Sequence, residues 1–512
     1  MRLTRKTNLA LSTFAGALAP LALAPVSLWP LAPLSIILFW LSLQSCTSSR
    51  QASLTGFVYG LGYFGVGVSW VFVSMVDHSN THWALAGLLT LLFCAGLALF
   101  YAIFAALFHR FKHLHHYPSL LFLGLWVSLD LLRGWLLTGF PWLYLGYASI
   151  DTSLAGYAPL LGIHGVTLLL VASGLLVHGV AITKPYRLLL LAAIWLAGYG
   201  LSLIQWTQPS TPAPIKVTLL QGNIGLQDKW LPQHLTPTLN YYLGQTYQHL
   251  DSDLIVWPET AIATYWDYIQ PSMQAVSLAA TTHNSQIISG TVMRENQNQG
   301  ANYFNSLVVL GPQDGSTEPP AQGYYHKQRL VPFGEYIPLE QWFRGAIDFF
   351  DLPMSAFKIP TQEQGLLSHS PVPIAGNICY EIAYPQLVAK QASAAQMIVT
   401  VSNDTWFEHS LAPWQHLQIA QMRAIENAKP VARATNSGVS ALIDAKGKII
   451  ALAPMYQQAQ LTGLVGPKQG TTPYNIGLNW PITLLSLGLI LFGFRFGFGR
   501  NFMGLLPHRF KP

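Results

Sequence analysis

Seven apolar runs fill the first two-fifths of the chain and an eighth lies near its end. Each approaches the length of about 20 residues that crossing a bilayer requires. The runs cover 9–24, 31–46, 54–76, 83–108, 120–137, 160–182, 188–206 and 482–498. Only 9% of the residues are charged and 51% are hydrophobic, against roughly 25% charged in ordinary soluble domains. The pattern predicts a polytopic α-helical membrane bundle of about eight spans. It divides into a membrane domain over 1–206 with about seven transmembrane helices and a C-terminal transmembrane helix over 480–500, followed by a cytoplasmic tail over 501–512. The first run also has the form of a signal peptide, with Arg2, Arg5 and Lys6 ahead of an apolar stretch ending in Ala22-Leu23-Ala24. Pro25 directly after that site opposes cleavage and further spans follow, so the run is read as a helix.

Lys and Arg set the orientation, because cytoplasmic loops collect them. With the N-terminus in the cytoplasm, the cytoplasmic segments carry Arg2, Arg5, Lys6, Arg50, Arg110, Lys112, Lys184, Arg187, Arg495, Arg500, Arg509 and Lys511, while the outer loops 25–30 and 77–82 carry none. Both termini are therefore expected in the cytoplasm and the long stretch between the seventh and eighth runs outside it. That stretch, residues 216–465, holds 13 Lys and Arg against 18 Asp and Glu, a net of −5, although the whole chain is +6. The basic balance is a topology signal and not a nucleic-acid footprint.

Three features of the apolar half need a reading. Gly60, Gly62 and Gly65 match a dinucleotide fingerprint, but they sit inside an apolar run with no strand before it. Close helix packing through Gly56 and Gly60 is the better account. Asp130 and Arg133 are spaced i, i+3 within a span, where ionisable residues are costly and often functional; an ion pair and a functional role both remain open. His113, His115 and His116 lie in a basic loop, and the cysteine and histidine spacings suggest no zinc site. No metal or cofactor is expected.

Residues 207–214, T-Q-P-S-T-P-A-P, form a proline-rich linker. From 215 to 466 extended and helical patterns alternate: extended at 217–221, 254–257, 286–292, 306–310, 323–326 and 397–402, helical at 235–250, 271–282 and 414–427, and hairpin-like at 439–450. This predicts a layered α/β domain. Three short motifs close strands: Trp257-Pro258-Glu259-Thr260, Tyr325-His326-Lys327 and Cys379-Tyr380-Glu381. Strand ends along one edge are where α/β sheets build their sites. Cys379 is the sole cysteine of this domain, at the junction of a strand-like approach and a helix-like exit, since Cys46 and Cys94 lie in apolar runs. A lone cysteine is most often a small buried hydrophobe; a glutamate and a lysine at neighbouring strand ends favour a nucleophile instead.

The ordered phrases Gln221-Gly222-Asn223-Ile224, W-P-E-T at 257–260, K-Q-R-L-V-P-F-G-E-Y at 327–336, I-C-Y-E at 378–381, S-N-D-T-W-F at 402–407 and R-A-T-N-S-G at 433–438 resemble the nitrilase, or carbon-nitrogen hydrolase, superfamily. Within it the chain is similar to the apolipoprotein N-acyltransferases, whose eight-span layout and T-G-F-P-W motif, here 138–142, it shares. The resemblance implies an αββα sandwich over 215–466. It also implies a ping-pong enzyme of a bacterial inner membrane with a periplasmic catalytic domain. The acyl donor would be a membrane phospholipid and the acceptor the α-amino group of a diacylglyceryl-cysteine apolipoprotein.

In that scheme Cys379 is the nucleophile, Glu259 the general base, and Lys327 the stabiliser of thiolate and oxyanion. Glu335, Tyr380 and Glu381 support them. Trp230, Trp406, Phe407 and Trp414 are candidate substrate-binding residues, although aromatics as often form core. Singly each polar residue has a plain alternative: Glu259 as a helix cap, Lys327 as a surface charge, Glu335 as a partner of Arg329. Two other functions fit the same residues, a membrane-anchored amidase whose intermediate water resolves, and an inactive lipid-binding or lipoprotein-binding module. A serine hydrolase is disfavoured by the lack of G-x-S-x-G.

Overall fold

The computed structural model describes residues 4–494 apart from 79–80, 181–185, 212, 298–299, 312–322, 333, 337–356, 363 and 368–371. The loop around Gly315, Phe333 of the L-V-P-F-G-E-Y phrase and the tail 501–512 lie outside the described residues.

The apolar runs become helices α1 (Arg5–Leu18), α2 (Leu31–Gln44), α3 (Ser49–Gly67), α4 (Trp70–His78), α5 (Trp83–Phe111), α6 (Pro118–Arg133), α7 (Ala158–Val180) and α8 (Tyr186–Ser202). Their starts follow from local chemistry. Thr4 and Ser48 accept backbone N–H bonds as N-caps of α1 and α3, and Pro118 opens α6 where no donor is needed. Among the described residues, the stretches Trp83–Leu114 and Ser153–Gly179 are long and apolar enough to cross a membrane. The run expected as one span at 54–76 is instead broken into α3 and α4, which meet at 51°. At the break, the carbonyl of Gly67 accepts a hydrogen bond from Gln415 Nε2 at 3.0 Å, a partner that sequence periodicity does not reveal.

Glycine does pack α3 against α5. A Cβ on Gly60 would lie 2.7 Å from Ala98 Cα, so only the missing side chain lets the two backbones approach. Asp130 and Arg133 form a buried ion pair of 3.0 Å. Arg133 also donates to the carbonyls of Phe140 at 2.9 Å and Trp142 at 2.6 Å, so the pair pins the T-G-F-P-W loop.

The second half begins with β1 (Gln208–Pro209), inside the expected linker, which pairs with β13 (Lys468–Gln469). A six-stranded sheet has the order β12-β2-β3-β4-β5-β6, with β2 (Ile215–Gln221), β3 (Leu254–Val256), β4 (Gln286–Gln297), β5 (Gly300–Leu310), β6 (Gly323–His326) and β12 (Ala459–Val465). A five-stranded sheet has the order β11-β10-β9-β8-β7, with β7 (Ile374–Ile378), β8 (Met397–Ser402), β9 (Val431–Thr435), β10 (Ala441–Ile443) and β11 (Ile449–Leu452). Alternate residues of the two sheets interdigitate in one core, among them Leu219, Val256, Ile288, Leu307, Ile378, Val399, Val401 and Ala434. Helices α10 (Pro232–Gln248) and α11 (Trp266–Thr282), preceded by the single turn α9 (Leu226–Lys229), cover the six-stranded sheet through Tyr242, Trp266, Met273 and Val276. Helices α12 (Pro385–Ala392) and α13 (Ala412–Asn427) cover the other.

The result is the expected αββα sandwich. Besides the short pair β1 and β13, two strands of the sheets escaped the sequence reading, β9, which runs into R-A-T-N-S-G, and β12, whose alternating exposed pattern marks an edge. After α14 (Pro473–Gly477) the chain returns as α15 (Trp480–Phe492). The helical half and the sandwich share one hydrophobic core through α13, whose Leu417, Ile419 and Met422 belong to the same cluster as Ile163 and Val166 of α7. Glu426 of α13 accepts a hydrogen bond from the Ile163 N–H at 2.7 Å, just where Gly162, at φ +64°, interrupts α7.

Candidate active site

The three strand-closing motifs converge. Trp257 at the end of β3 is fully buried against Tyr242 and donates from Nε1 to Thr246 Oγ1 at 3.0 Å, which fixes the backbone entering Glu259. Lys327 leaves β6 with its own N–H bonded to the Asn305 carbonyl at 2.8 Å. Cys379 follows β7 at φ +52°, a left-handed conformation that costs a residue with a Cβ roughly 1–2 kcal/mol. Such strain persists only where the surroundings impose it. Here Glu381 does so from one side: its carboxylate accepts from the N–H groups of Ile378 at 2.8 Å, Gln328 at 2.6 Å and Arg329 at 3.2 Å, and from the Tyr325 hydroxyl at 3.0 Å. Burial pushes Glu381 up to about 7 against the pull of those donors.

Lys327 is 1% exposed. Its Nζ donates to Glu335 Oε1 at 2.9 Å and to Glu259 Oε1 at 3.3 Å. Asn305 bridges the same two oxygens from Nδ2, at 2.9 and 2.7 Å. The other oxygen of Glu259 accepts the Asn403 N–H at 2.8 Å, and that of Glu335 the Val331 N–H at 2.8 Å. Neither glutamate therefore plays its plain alternative role. Glu259 caps no helix, and Arg329 lies over the Tyr384 ring at 5.2 Å rather than on Glu335.

These contacts set the protonation states. Burial disfavours the Glu259 carboxylate, but Lys327, Asn305 and Lys229 more than offset it and hold the group below its usual range. Against burial, Glu259 and then Glu335 hold Lys327 above its usual value. Burial and the Glu259 charge push the Cys379 thiol well up, with Lys327 pulling the other way. The resting site is a thiol beside a carboxylate and an ammonium.

The other expected residues divide. The Tyr380 hydroxyl donates to the Gly139 carbonyl at 3.3 Å, and the Tyr384 hydroxyl to Thr138 O at 3.0 Å, so the T-G-F-P-W loop abuts the Cys379 turn. Trp406 and Phe407 dock on α4: the Trp406 carbonyl accepts from Ser74 Oγ at 2.7 Å, and the Phe407 ring lies 4.9 Å from Trp70. Trp230 packs apart from them, with Val292, Leu330 and Phe357. Trp414 lines a cavity of about 480 Å³ with Ala24, Pro25 and Ile150, distinct from the one beside Thr405. That second cavity, of about 550 Å³, is walled by Asp77, His78, Asp228, Thr405, Glu408 and His409. Sequence reasoning missed Asn305, whose signal is a lone amide in the apolar strand F-N-S-L-V-V-L, and Lys229, buried with Nζ 3.1 Å from the Glu259 carbonyl. Burial lowers Lys229 to about 8. Among the described residues no group of His, Cys, Asp and Glu could hold a metal ion.

Residues 15–176 match the family model of the apolipoprotein N-acyltransferase N-terminal domain, and residues 216–463 that of carbon-nitrogen hydrolases. The apolipoprotein N-acyltransferase of Pseudomonas syringae pv. tomato is 42% identical over 496 residues, 94% of this chain and 95% of that one. The chain belongs to the apolipoprotein N-acyltransferase family. The Pseudomonas aeruginosa apolipoprotein N-acyltransferase is likewise 42% identical, over 94% of each chain. Among solved structures, a carbon-nitrogen hydrolase from Helicobacter pylori is similar at 16% identity and a TM-score of 0.36, covering 49% of this chain and 89% of that one. As an apolipoprotein N-acyltransferase family member the chain thus joins an apolar helical half to a carbon-nitrogen hydrolase sandwich, with the Glu259, Lys327 and Cys379 cluster in the sandwich.

Proposed function

We propose that this enzyme moves a fatty acyl chain from a membrane phospholipid, through a thioester on Cys379, to the N-terminal α-amino group of a diacylglyceryl-cysteine apolipoprotein, the last step of lipoprotein maturation. One observation carries the reading. Glu259, Lys327 and Cys379 meet at three strand ends, in a sandwich whose outer helix α13 is built into the core of an apolar helical half.

In the first half-reaction Cys379 Sγ attacks the ester carbonyl carbon while Glu259 takes the thiol proton. The oxyanion forms near Lys327, which has three N–H donors and, among the described residues, two acceptors, leaving one donor for it. Collapse breaks the ester C–O bond. Glu259 returns the proton to the leaving lysophospholipid, and the acyl group stays on sulfur. In the second half-reaction the acceptor amine attacks the thioester carbonyl, Glu259 takes its proton, and the amide forms as Cys379 leaves and is reprotonated. Trp406 and Phe407, seated on α4, would face the lipid chain; Trp230 and Trp414 complete the expected substrate-binding set with less support, since each packs elsewhere.

The bundle, in this proposal, spans an inner membrane eight times over 1–206 and 480–500, with 207–214 as linker, 215–466 periplasmic and both termini, with the tail 501–512, cytoplasmic. Supplying a diacylglyceryl-cysteine peptide to the acyl-enzyme tests the function. The expected result is an N-acylated peptide with one lysophospholipid released per turnover. Free fatty acid in its place would make the protein a water-resolved hydrolase. A reporter fused near Gly315 should be active only outside the cytoplasm.

A further inference from the structure

Three buried polar residues outside the Glu259 cluster form a chain that ends on the backbone of Cys379. His416, 1% exposed on α13, has its Nε2 3.1 Å from the carbonyl oxygen of Cys379. Its Nδ1 lies 3.1 Å from Asp404 Oδ1 and 3.1 Å from Arg433 Nη2. Arg433 Nη2 in turn donates to Asp404 Oδ2 at 2.5 Å, and Ser402 Oγ to Asp404 Oδ1 at 2.7 Å. Asp404 and Arg433 are fully buried, and Gly438 is required beside them because a Cβ there would stand 2.5 Å from that of Asp404.

A carbonyl oxygen can only accept, so Nε2 of His416 carries its proton toward Cys379. Burial and the Arg433 charge hold the ring below its usual range, leaving it neutral, with Nδ1 accepting from Arg433. The carbonyl that His416 grips belongs to the planar peptide joining Cys379 to Tyr380. Fixing its oxygen fixes the Cα that carries Sγ at φ +52° and the N–H of Tyr380 together.

We infer that His416, held at Nδ1 by Arg433, which Asp404 in turn anchors, is a positioning residue for the nucleophile: it holds the Cys379–Tyr380 peptide in the conformation from which sulfur attacks. This rests on Cys379 being the nucleophile. It assigns a task to S-N-D-T-W-F and R-A-T-N-S-G, which supply Asp404 and Arg433, beyond the Asn403 N–H bond to Glu259.

The test compares three substitutions in the full-length protein in phospholipid mixed micelles, following Cys379 acylation by intact mass. His416→Leu removes the donor and should slow acylation about 10- to 100-fold, as small misplacements of reacting groups do, with the apparent KM for phospholipid unchanged. His416→Gln places an amide N–H where Nε2 stands and should recover most of the rate. His416→Asn places its amide near Nδ1, cannot reach the Cys379 carbonyl, and should stay slow. The Gln and Asn pair decides the matter even if the Leu variant fails to fold. Equal rates for Gln and Asn, or a wild-type rate for Leu, overturn the inference. If Cys379→Ala still acquires the acyl group, the nucleophile assignment fails instead; iodoacetamide alkylation of Cys379 across the same variants still tests His416, with the same order expected.

Discussion

Arg133 in the helical half and Lys327 in the sandwich are both buried cations paired with carboxylates, yet they are used in opposite ways. Arg133 holds Asp130 and two backbone carbonyls in a fixed fork. Lys327 holds two carboxylates with two of its three donors, next to a strained thiol. A guanidinium suits clamping and a compact ammonium suits a charge that must serve a changing partner. Burial and ion pairing alone therefore do not mark a site; in the proposed mechanism what distinguishes Lys327 is a donor left unengaged among the described residues.

The comparison is most sharply tested from the base. Glu259→Gln should leave a folded protein whose Cys379 acylation falls by about 10² to 10⁴-fold, the usual contribution of a positioned base; near-normal acylation would reduce Glu259 to a counter-ion like Asp130. Next, Lys327→Ala should slow acylation by about 10² to 10³-fold. It should also lower stability by about 3–5 kcal/mol, because Glu259 and Glu335 would be left buried without their cation. Arg133→Ala should cost a similar amount in thermal or denaturant unfolding. The acylation rate of its folded fraction should change by less than about tenfold, the scale of the few hydrogen bonds that tie its loop to Tyr380 and Tyr384. A larger rate loss there would make Arg133 part of the catalytic machinery.

The smallest effect concerns pH. Because Glu259 is held below its ordinary 4.5, its ionised state stabilises the fold at any pH above that value, and the contribution fades only as pH falls through the depressed value. Acylation should therefore be insensitive to the ionisation of Glu259 from about pH 5 upward. An acid limb near pH 6 that persists in Glu381→Gln, which removes a carboxyl itself pushed up to about 7, would show that its neighbours do not hold Glu259 down.

Much of this contrast was legible in the sequence. W-P-E-T, Y-H-K and I-C-Y-E end strands as their patterns predict, and Glu335, eight residues after Lys327, reaches it because the chain turns back at Val331. The i, i+3 spacing of Asp130 and Arg133 allowed a pair but could not choose between pairing and function. The choice depends on the carbonyls of Phe140 and Trp142, and a turn that exposes carbonyls leaves no mark in side-chain pattern. The same reason hid His416, whose partner at the site is the backbone oxygen of Cys379 and whose α13 pattern reads as an ordinary amphipathic helix. The break between α3 and α4 was hidden because both halves are apolar, and the glutamine that satisfies the break lies 348 residues away.

The central claim is that the free donor of Lys327 and the carboxylate of Glu259 serve a covalent step at Cys379. The most direct measurement is the intact mass of the purified protein after incubation with a phospholipid of defined chains. The account predicts an increment equal to one acyl group, labile to hydroxylamine, mapped to Cys379 and absent from Cys379→Ala. An unchanged mass at Cys379 in a protein that still N-acylates the acceptor peptide would contradict it.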